Sequence, residues 1–306
     1  MNRRTIWLPA GILAVLLFVG GPGYHSPRSQ DAAWDLGHIV AFSLWSYLLI
    51  TWKPVEEVPP ARQWWIVALF CLIWGGATEG IQFLAGRDAS LEDLLRDVLG
   101  GGITLTWFAF SSRTVPRGAR RMLRSLSASF LLVACIPLAV ALCDEGIART
   151  QFPLLSDFET PFEEDRWNRF PSSSVDRSVA RHGKASLRVE MDASLYSGVS
   201  FVYFPRNWTG YRFLRLDVLN PSPEEIKITC RIHDRRHEEG EQLYEDRFNR
   251  RFRLQQGWND LRIDLGEVAR APVGRTMDLG EIRVVGLFAS KLPAPRTIFV
   301  DHVRLE

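Results

Sequence analysis

Hydrophobic and polar positions divide the chain into two dissimilar halves. The first half contains five apolar stretches, whereas the second half contains none of comparable length. A helix needs roughly 20 apolar residues to cross the hydrocarbon core of a membrane. The longer stretches meet this requirement, and the fourth meets it if it begins near Leu91. We therefore predict an α-helical transmembrane domain of about five helices over residues 1–145. The stretches are Ile6–Gly21, Leu36–Trp52, Trp64–Leu84, Val98–Phe110 and Leu126–Cys143.

From about Leu154 the pattern changes to short runs in which apolar and polar residues alternate. Alternation interrupted by turn residues at fairly even spacing is typical of antiparallel strands. This pattern predicts about eight strands in an all-β antiparallel sandwich, a jelly roll, over residues 154–306. A short tether at 146–153 is expected to join it to the helices. The predicted strands are 186–191, 199–204, 213–219, 226–232, 248–254, 261–265, 282–288 and 298–305.

Arginines near the ends of the apolar stretches predict how the chain crosses the membrane. Positive residues beside membrane helices tend to remain in the cytoplasm. Arg3 and Arg4 precede the first stretch, and the segment 113–124 carries five arginines and no acidic residue. With five spans, both segments are cytoplasmic. The N-terminus is therefore predicted to be cytoplasmic and the sandwich extracytoplasmic. The first stretch also resembles a signal peptide, and its cleavage would leave the sandwich on the same side.

Net charge and cysteine content indicate which partners to expect and how the sandwich is stabilised. The formal net charge is only +2, and topology explains the arginines, so we do not expect nucleic acid as a partner. Cys230 is the one cysteine of the polar half. The sandwich must therefore be stable through its hydrophobic core, without an internal disulfide.

Polar residues recur where the predicted helices reach the outer face. Asp35 and His38 are three residues apart and project from one side of a helix. Glu79 and Gln82 repeat this spacing. Ionisable groups within a membrane cost roughly 2.5–3.5 kcal/mol each on insertion scales and usually face a bundle interior or a cavity. The residues that we expect to meet there, called the outer-leaflet cluster, are Asp35, His38, Glu79, Gln82, Arg87, Asp93 and Asp97.

The order of these residues resembles the VanZ-like family over roughly residues 1–112. Asp97 stands where the family usually has asparagine. The resemblance implies a multi-pass membrane protein of the cell envelope, in a family named for a protein linked to glycopeptide (teicoplanin) resistance. The matching motifs are Asp35-x-x-His38, Glu79-Gly-Ile-Gln82, Gly86-Arg87-Asp-Ala-Ser90-x-x-Asp93 and Asp97-x-x-Gly100-Gly101.

Three interpretations of the outer-leaflet cluster stay open. It is a purely structural clasp if Arg87 pairs with Asp93 or Asp97 and His38 bonds to Glu79. It is a binding pocket if Arg87 holds the anionic group of a lipid-linked or phosphorylated envelope precursor. It is catalytic if His38 forms an acid/base pair with Glu79 or Asp93. The sequence contains no HExxH or CxxC metal motif and no nucleophile elbow. We therefore favour a non-enzymatic role.

The second half resembles jelly-roll carbohydrate-binding modules of the galactose-binding-like class. In such modules a structural calcium often lies where the first strand meets the last, which here implicates Glu159 and Asp301. Oxygen ligands of this kind suit calcium. The residues that carry the resemblance are Asp157-Phe-Glu159, Gly183-Lys-Ala-Ser-Leu187, Trp208-x-Gly-Tyr211, Gly257-Trp-Asn259 and Phe299-Val-Asp301.

An envelope polysaccharide is the partner that this resemblance implies. Aromatic rings can stack on sugar faces while keeping a polar handle. The main candidate contacts are therefore Tyr203, Trp208 and Tyr211. Further candidates are Tyr196, Tyr244, Arg231, His233 and Asp234. Trp208 could instead fill the core, and the run 234–241 is most simply a solvated hairpin loop.

These patterns predict a multi-pass cell-envelope protein in contact with membrane lipids. Its outer sandwich is expected to bind a glycan beside an outward-facing polar pocket. One alternative is an intramembrane enzyme acting on a lipid-linked or phosphorylated envelope precursor. The other is a structural or assembly protein without a small ligand, since a fold alone does not determine function.

Overall fold

The chain folds into two compact units, Met1–Leu142 and Cys143–Glu306. The computed structural model describes residues 11–12, 22, 26–84, 90–109, 115–170 and 172–306, without the side chains of residues 82, 169 and 170. Each unit contains its own hydrophobic core.

The N-terminal unit is helical in its described part. The helix Leu91–Thr104 is capped by Ser90, whose side chain accepts a hydrogen bond from the backbone N–H of Asp93 at 3.3 Å. This N-cap satisfies one of the free amides of the first turn. The helices are α1 (Arg28–Ile50), α2 (Lys53–Glu56), α3 (Pro60–Leu84), α4 (Leu91–Thr104, continued by a π-helical turn at Leu105–Ala109) and α5 (Arg117–Gln151).

Three helices of the described residues are long and apolar enough to cross a membrane. They are α1, the Pro60–Ile81 part of α3, and α5, and they coincide with the second, third and fifth apolar stretches. Helix α4 corresponds to the fourth stretch but carries several charged residues in its first two turns. The first stretch lies outside the described residues except for 11–12. The count of five spans therefore stays a prediction.

Glycines allow the helices around α4 to approach closely. A Cβ added at Gly100 would lie 2.6 Å from the carbonyl oxygen of Ile39 on α1. A Cβ added at Gly101 would lie 2.6 Å from Sγ of Cys71 on α3. Small residues at both positions thus permit close contact between the helices. The hydroxyl of Thr104 donates to the carbonyl of Ser43 at 2.6 Å and further ties α4 to α1.

The C-terminal unit is an antiparallel β-sandwich of two sheets. One sheet has the order β3-β4-β11-β6-β9, with β1 paired to β11, and the other has the order β2-β5-β10-β7-β8. The strands are β1 (Leu154–Ser156), β2 (Trp167–Phe170), β3 (Ser172–Asp176), β4 (Ser186–Met191), β5 (Tyr196–Phe201), β6 (Phe213–Asn220), β7 (Ile226–Asp234), β8 (Phe248–Leu254), β9 (Gly257–Asp264), β10 (Ile282–Ser290) and β11 (Arg296–Leu305).

All eight predicted strands are present, within a few residues of the expected bounds. The sequence pattern did not reveal β1, β2 and β3, which are three to five residues long. The run 234–241, interpreted as a solvated hairpin loop, contains the short helix α6 (Arg235–Glu239) instead. Asp234 is fully buried and caps this helix through the amide of His237. Another short helix, α7 (Leu265–Arg270), follows β9.

The segment 146–153 also differs from the expected tether. Helix α5 continues without a break to Gln151, and its last turns belong to the C-terminal unit. The helix ends shortly before Pro153, which disfavours helical backbone at the residue before it. Asp144 on these turns accepts hydrogen bonds from the guanidinium of Arg166, the shortest at 2.7 Å. Both side chains are nearly inaccessible to solvent.

We expect Asp144→Asn to lower the free energy of unfolding by about 3–5 kcal/mol, because it leaves the Arg166 charge buried without its counter-ion. The measurement is urea unfolding of the detergent-solubilised protein, followed by near-ultraviolet circular dichroism. Arg250→Gln breaks an exposed ion pair with Glu267 and should cost less than about 1 kcal/mol. Equal losses for the two variants would contradict the importance of the buried pair.

Candidate functional site

His38, Asp97 and Glu79 form the buried part of the outer-leaflet cluster. Nδ1 of His38 lies 3.0 Å from Oδ1 of Asp97, and both side chains are almost completely buried. Oε2 of Glu79 accepts the backbone N–H of Ser90 at 2.6 Å. Oδ2 of Asp97 and Oε1 of Glu79 have no hydrogen-bond partner among the described residues. Buried polar atoms of this kind usually bind a water or another polar group.

The polar contacts at the start of α4 differ from the predicted clasp. Histidine 38 pairs with Asp97 instead of Glu79. Among the described residues of the cluster the cation is Arg96, whose guanidinium pairs with Asp93 and lies 3.1 Å from Oδ2 of Asp35. The spacing of Arg96 three residues after Asp93 was a signal that the sequence reasoning missed. Arg87 and the side chain of Gln82 lie outside the described residues.

The C-terminal unit contains an open cleft on the outer face of its five-stranded sheet. Val199, Leu287 and Cys230 of the three central strands are buried in the core. The residues beside them in the chain therefore face away from the core, because side chains alternate along a strand. The cavity over this outer face, called the cleft from here on, has a volume of about 730 Å³.

Strand register aligns the floor of the cleft in two rows. One row combines an aromatic ring with a hydroxyl and an arginine, and the other row is polar. The first row runs through Arg251, Thr229, Phe288 and Gly198. The second row runs through Asn249, Arg231, Gly286, Ser200 and Asn168.

Two glycines add no side chains to the middle of the cleft floor. A Cβ added at Gly198 would lie 2.6 Å from Cα of Phe288, which is backbone and cannot move aside. A Cβ added at Gly286 would lie 3.4 Å from Nε of Arg231 and would fill part of the polar row. Only glycine is compatible with the close strand approach at the first position.

Exposed tyrosines stand at the two ends of the cleft. Tyr196 is 60% exposed and meets the ring of Phe288 edge-on, at 5.7 Å between centroids. Tyr244 is 65% exposed, and the guanidinium carbon of Arg247 lies 5.4 Å from its ring centroid. The cleft therefore offers aromatic faces next to charged and neutral hydrogen-bond donors.

Arg275 holds the segment that carries Tyr244. Its guanidinium donates to Asp234 at 2.6 Å and to Asp246 at 2.9 Å, so it ties the end of β7 to the turn Tyr244–Asp246. Burial alone would raise the pKa of Asp234. Hydrogen bonds from Arg275 and from the amides of Asp278 and His237 outweigh that effect, and the pKa lies below its ordinary value.

The main glycan contacts predicted from sequence do not line the cleft. Trp208 is completely buried in the sandwich core, so its ring has no face available to a sugar. Tyr211 packs partly buried against the same core, with its ring against Phe152. Tyr203 is partly buried away from the cleft. The prediction that Trp208 binds a glycan is therefore wrong, and the alternative core position is correct.

Three of the further candidates do line the cleft, namely Tyr196, Tyr244 and Arg231. Asp234 is instead enclosed by Arg275 and backbone amides. His233 is buried, with its ring 4.7 Å from that of His237. The thiol of Cys230 lies in the core, where burial raises its pKa to about 12. This thiol is therefore inert at neutral pH.

The carboxylates proposed as calcium ligands bind backbone amides of one loop. Oδ2 of Asp301 accepts the N–H groups of Arg181 and His182, and Oδ1 accepts that of His302 at 2.6 Å. Oε1 of Glu159 accepts the amides of residues 184 and 185. The described residues contain no group of three His, Cys, Asp or Glu side chains arranged for a metal. These carboxylates thus stabilise the loop 181–185, and their role as calcium ligands stays a prediction.

Comparisons with known proteins bear on the sandwich only. No family model matches the chain, and no curated protein matches it. The resemblance of residues 1–112 to the VanZ-like family therefore stays a prediction.

Several solved structures of β-sandwich modules are similar to half of the chain. A family 11 carbohydrate-binding module from Clostridium thermocellum, solved with a β-1,3-1,4-mixed-linked tetrasaccharide, is 14% identical. The match covers 50% of this chain and 93% of that one, with a TM-score of 0.38. An exo-β-agarase is 15% identical over 50% of this chain and 24% of its own length, with a TM-score of 0.41. The C-terminal family 22 carbohydrate-binding module of a Clostridium thermocellum protein is 12% identical over 49% and 90%, with a TM-score of 0.34. Likeness at this level does not assign a ligand.

We expect Arg275→Gln to lower the free energy of unfolding by about 3 kcal/mol at neutral pH, because Asp234 then remains charged and buried without its cation. In the wild type the contribution of Asp234 is present above its unfolded pKa of about 4 and is lost as the pH falls through the folded pKa. The destabilisation should therefore shrink in acid. Urea unfolding at neutral and acidic pH measures this dependence.

Arg235→Gln provides the matched control, since it removes an exposed ion pair with Glu239. It should change stability by less than about 1 kcal/mol at either pH. Hydrogen exchange over residues 241–247 should accelerate only in the Arg275 variant. Unchanged exchange in that segment would refute a role for Arg275 in holding the cleft wall.

Proposed function

We propose that the protein is anchored in the membrane of the cell envelope and binds a glycan in the cleft of its β-sandwich. The observation that carries this proposal is the cleft itself. Its volume of about 730 Å³ lies in the range of about 300–1,000 Å³ of small-ligand sites. Aromatic faces beside hydrogen-bond donors suit a sugar ring, which has an apolar face and a rim of hydroxyls.

The floor of the cleft supports an extended ligand. The rows of β5, β10 and β7 form a track between Tyr196 and Tyr244, and Gly198 and Gly286 add no side chains to it. Hydrogen bonds to strands on both sides fix the backbone of β5, β10 and β7, so the floor of the track is organised before a ligand arrives. A preorganised site loses less entropy on binding than a flexible one.

Membrane anchoring rests on the three apolar helices and the arginine pattern. The predicted topology places the arginine-rich segment 113–124 in the cytoplasm and the sandwich outside. A domain on that side would meet envelope polysaccharides. Membership of the VanZ-like family, which the motifs of residues 1–112 suggest, is part of this proposal.

We expect Tyr196→Ala to weaken glycan binding by about tenfold or more, since stacking of an aromatic ring contributes on the order of 1 kcal/mol and the ring also encloses the end of the cleft. A glycan array with the full-length protein in nanodiscs would identify a ligand. Calorimetric titration of that ligand would then measure the loss.

Val273→Ala is the control, because Val273 is 75% exposed and does not line the cleft. Its affinity should equal that of the wild type. Absence of any saccharide ligand for the correctly folded wild type would contradict the proposal and favour an assembly role.

A second candidate function is binding of a lipid-linked envelope precursor at the outer-leaflet cluster. The unsatisfied oxygens of Asp97 and Glu79 favour it, because a hydroxyl or amine of a bound headgroup could donate to them. His38 would hold Asp97 in position. An enzyme acting on such a precursor is the catalytic form of the same hypothesis.

We expect Glu79→Gln to reduce retention of a polyprenyl phosphate sugar by the purified protein, because the amide replaces a carboxylate acceptor with a weaker one. Native mass spectrometry of the detergent-solubilised protein measures the bound fraction. Glu57→Gln changes a carboxylate beyond the other end of α1 and should have no effect. Equal retention by both variants would leave the cluster with a structural role.

A further inference from the structure

The charged residues of the cleft all have the same sign. Four basic side chains line it, namely Arg231, Arg247, Arg251 and Lys291. Among the described residues that line the cleft, none is Asp or Glu. The surface elsewhere mixes both signs in ion pairs such as Arg250 with Glu267 and Arg253 with Glu225. The cleft is therefore a local exception to the charge pattern of the sandwich.

Three of these cations have no carboxylate partner within the part of the chain that the structure describes. Arg247 contacts the ring of Tyr244, and neither Arg251 nor Lys291 forms an ion pair with a described residue. Nε of Arg247 is buried without a hydrogen-bond acceptor. Like charges collected in one concave site repel each other and concentrate anions from solution. An incoming anion would relieve this repulsion.

The cations are placed along the aromatic floor. Arg251 lies opposite Thr229, which in turn lies opposite Phe288. The guanidinium carbon of Arg231 lies 6.0 Å from the centroid of the Phe288 ring. A sugar ring over Phe288 would therefore have guanidinium groups at its edge, where an acidic substituent projects. Guanidinium groups match the two oxygens of a carboxylate, sulfate or phosphate.

We propose that the ligand of the cleft is an anionic saccharide, whose acidic groups pair with Arg231, Arg247 and Arg251. This inference rests on the proposed glycan-binding function and specifies its ligand class. The acidic group is a carboxylate, as in a uronic acid, or an ester of sulfuric or phosphoric acid. The aromatic floor favours a saccharide over a lipid headgroup, because a headgroup phosphate offers no ring to stack.

The test compares saccharides that carry a carboxylate, a neutral ester or a sulfate. The probes are an oligomer of galacturonic acid, the methyl ester of the same oligomer, and a sulfated galactose oligomer. Each is titrated into the full-length protein in phosphatidylcholine nanodiscs. An acidic oligomer should bind at least about tenfold more tightly than the neutral ester, since one charged hydrogen bond accounts for roughly that factor. Added salt should weaken only the acidic ligands.

Variants on β8 provide a matched pair for this experiment. Arg251→Gln removes a cation that lines the cleft, and Arg253→Gln removes the next outward-facing arginine of the same strand, which does not. The first should lose about tenfold in affinity for the acidic oligomer and nothing for the ester. The second should match the wild type. Thermal unfolding of both variants checks that the sandwich is intact.

The outcomes distinguish failure of the anionic-ligand inference from failure of the proposed glycan-binding function. Equal affinity for the acid and its ester would overturn the anionic ligand and leave glycan binding in place. No binding of any saccharide would overturn both. Preference for the sulfated oligomer alone would support the inference and assign the ester class. Binding of phosphatidylglycerol vesicles through Arg251, with no saccharide bound, would overturn the inference in favour of a lipid surface.

Discussion

The register of β10 between β5 and β7 is the constraint on which the C-terminal unit depends. It places Val285 and Leu287 in the core and therefore Gly286 and Phe288 on the opposite face. A shift of one residue would exchange the two sets. Gly198 secures this arrangement, because the backbone of β10 passes where any larger residue would put its Cβ. The same register therefore determines both which residues form the core and which residues line the cleft.

A comparable constraint operates among the helices. Gly75, Gly100 and Gly101 bring three helices close enough for buried polar groups to meet. A Cβ on Gly75 would lie 2.6 Å from Oδ2 of Asp97, so the carboxylate occupies space that only glycine leaves open. The pairing of His38 with Asp97 is therefore a product of backbone packing as much as of charge.

The sequence predicted the type of each domain better than the identity of its contacts. Alternation located eight strands because a buried face imposes a period of two, whereas the serine-rich β3 lacks that contrast. Helical spacing predicts that Asp35 and His38 share a face of α1, whereas the choice of Asp97 over Glu79 as the partner of His38 depends on how the helices pack. The prediction that Trp208 contacts a glycan rests on its residue type. Whether an aromatic ring faces the core or the solvent follows from its position in the folded sandwich, which a single sequence does not specify.

The two glycines in the floor of the cleft have a consequence for how this protein can diversify. Gly198 and Gly286 contribute no side chain, and the neighbouring strand positions also serve the ladder that shapes the core. Tyr244, Arg247 and Lys291 line the cleft from connecting segments outside the central strands, so changes there can adjust ligand discrimination alongside Arg231 and Arg251 without affecting that ladder. Substitutions in those connecting segments can therefore change the ligand preference of the cleft while the sheet stays the same.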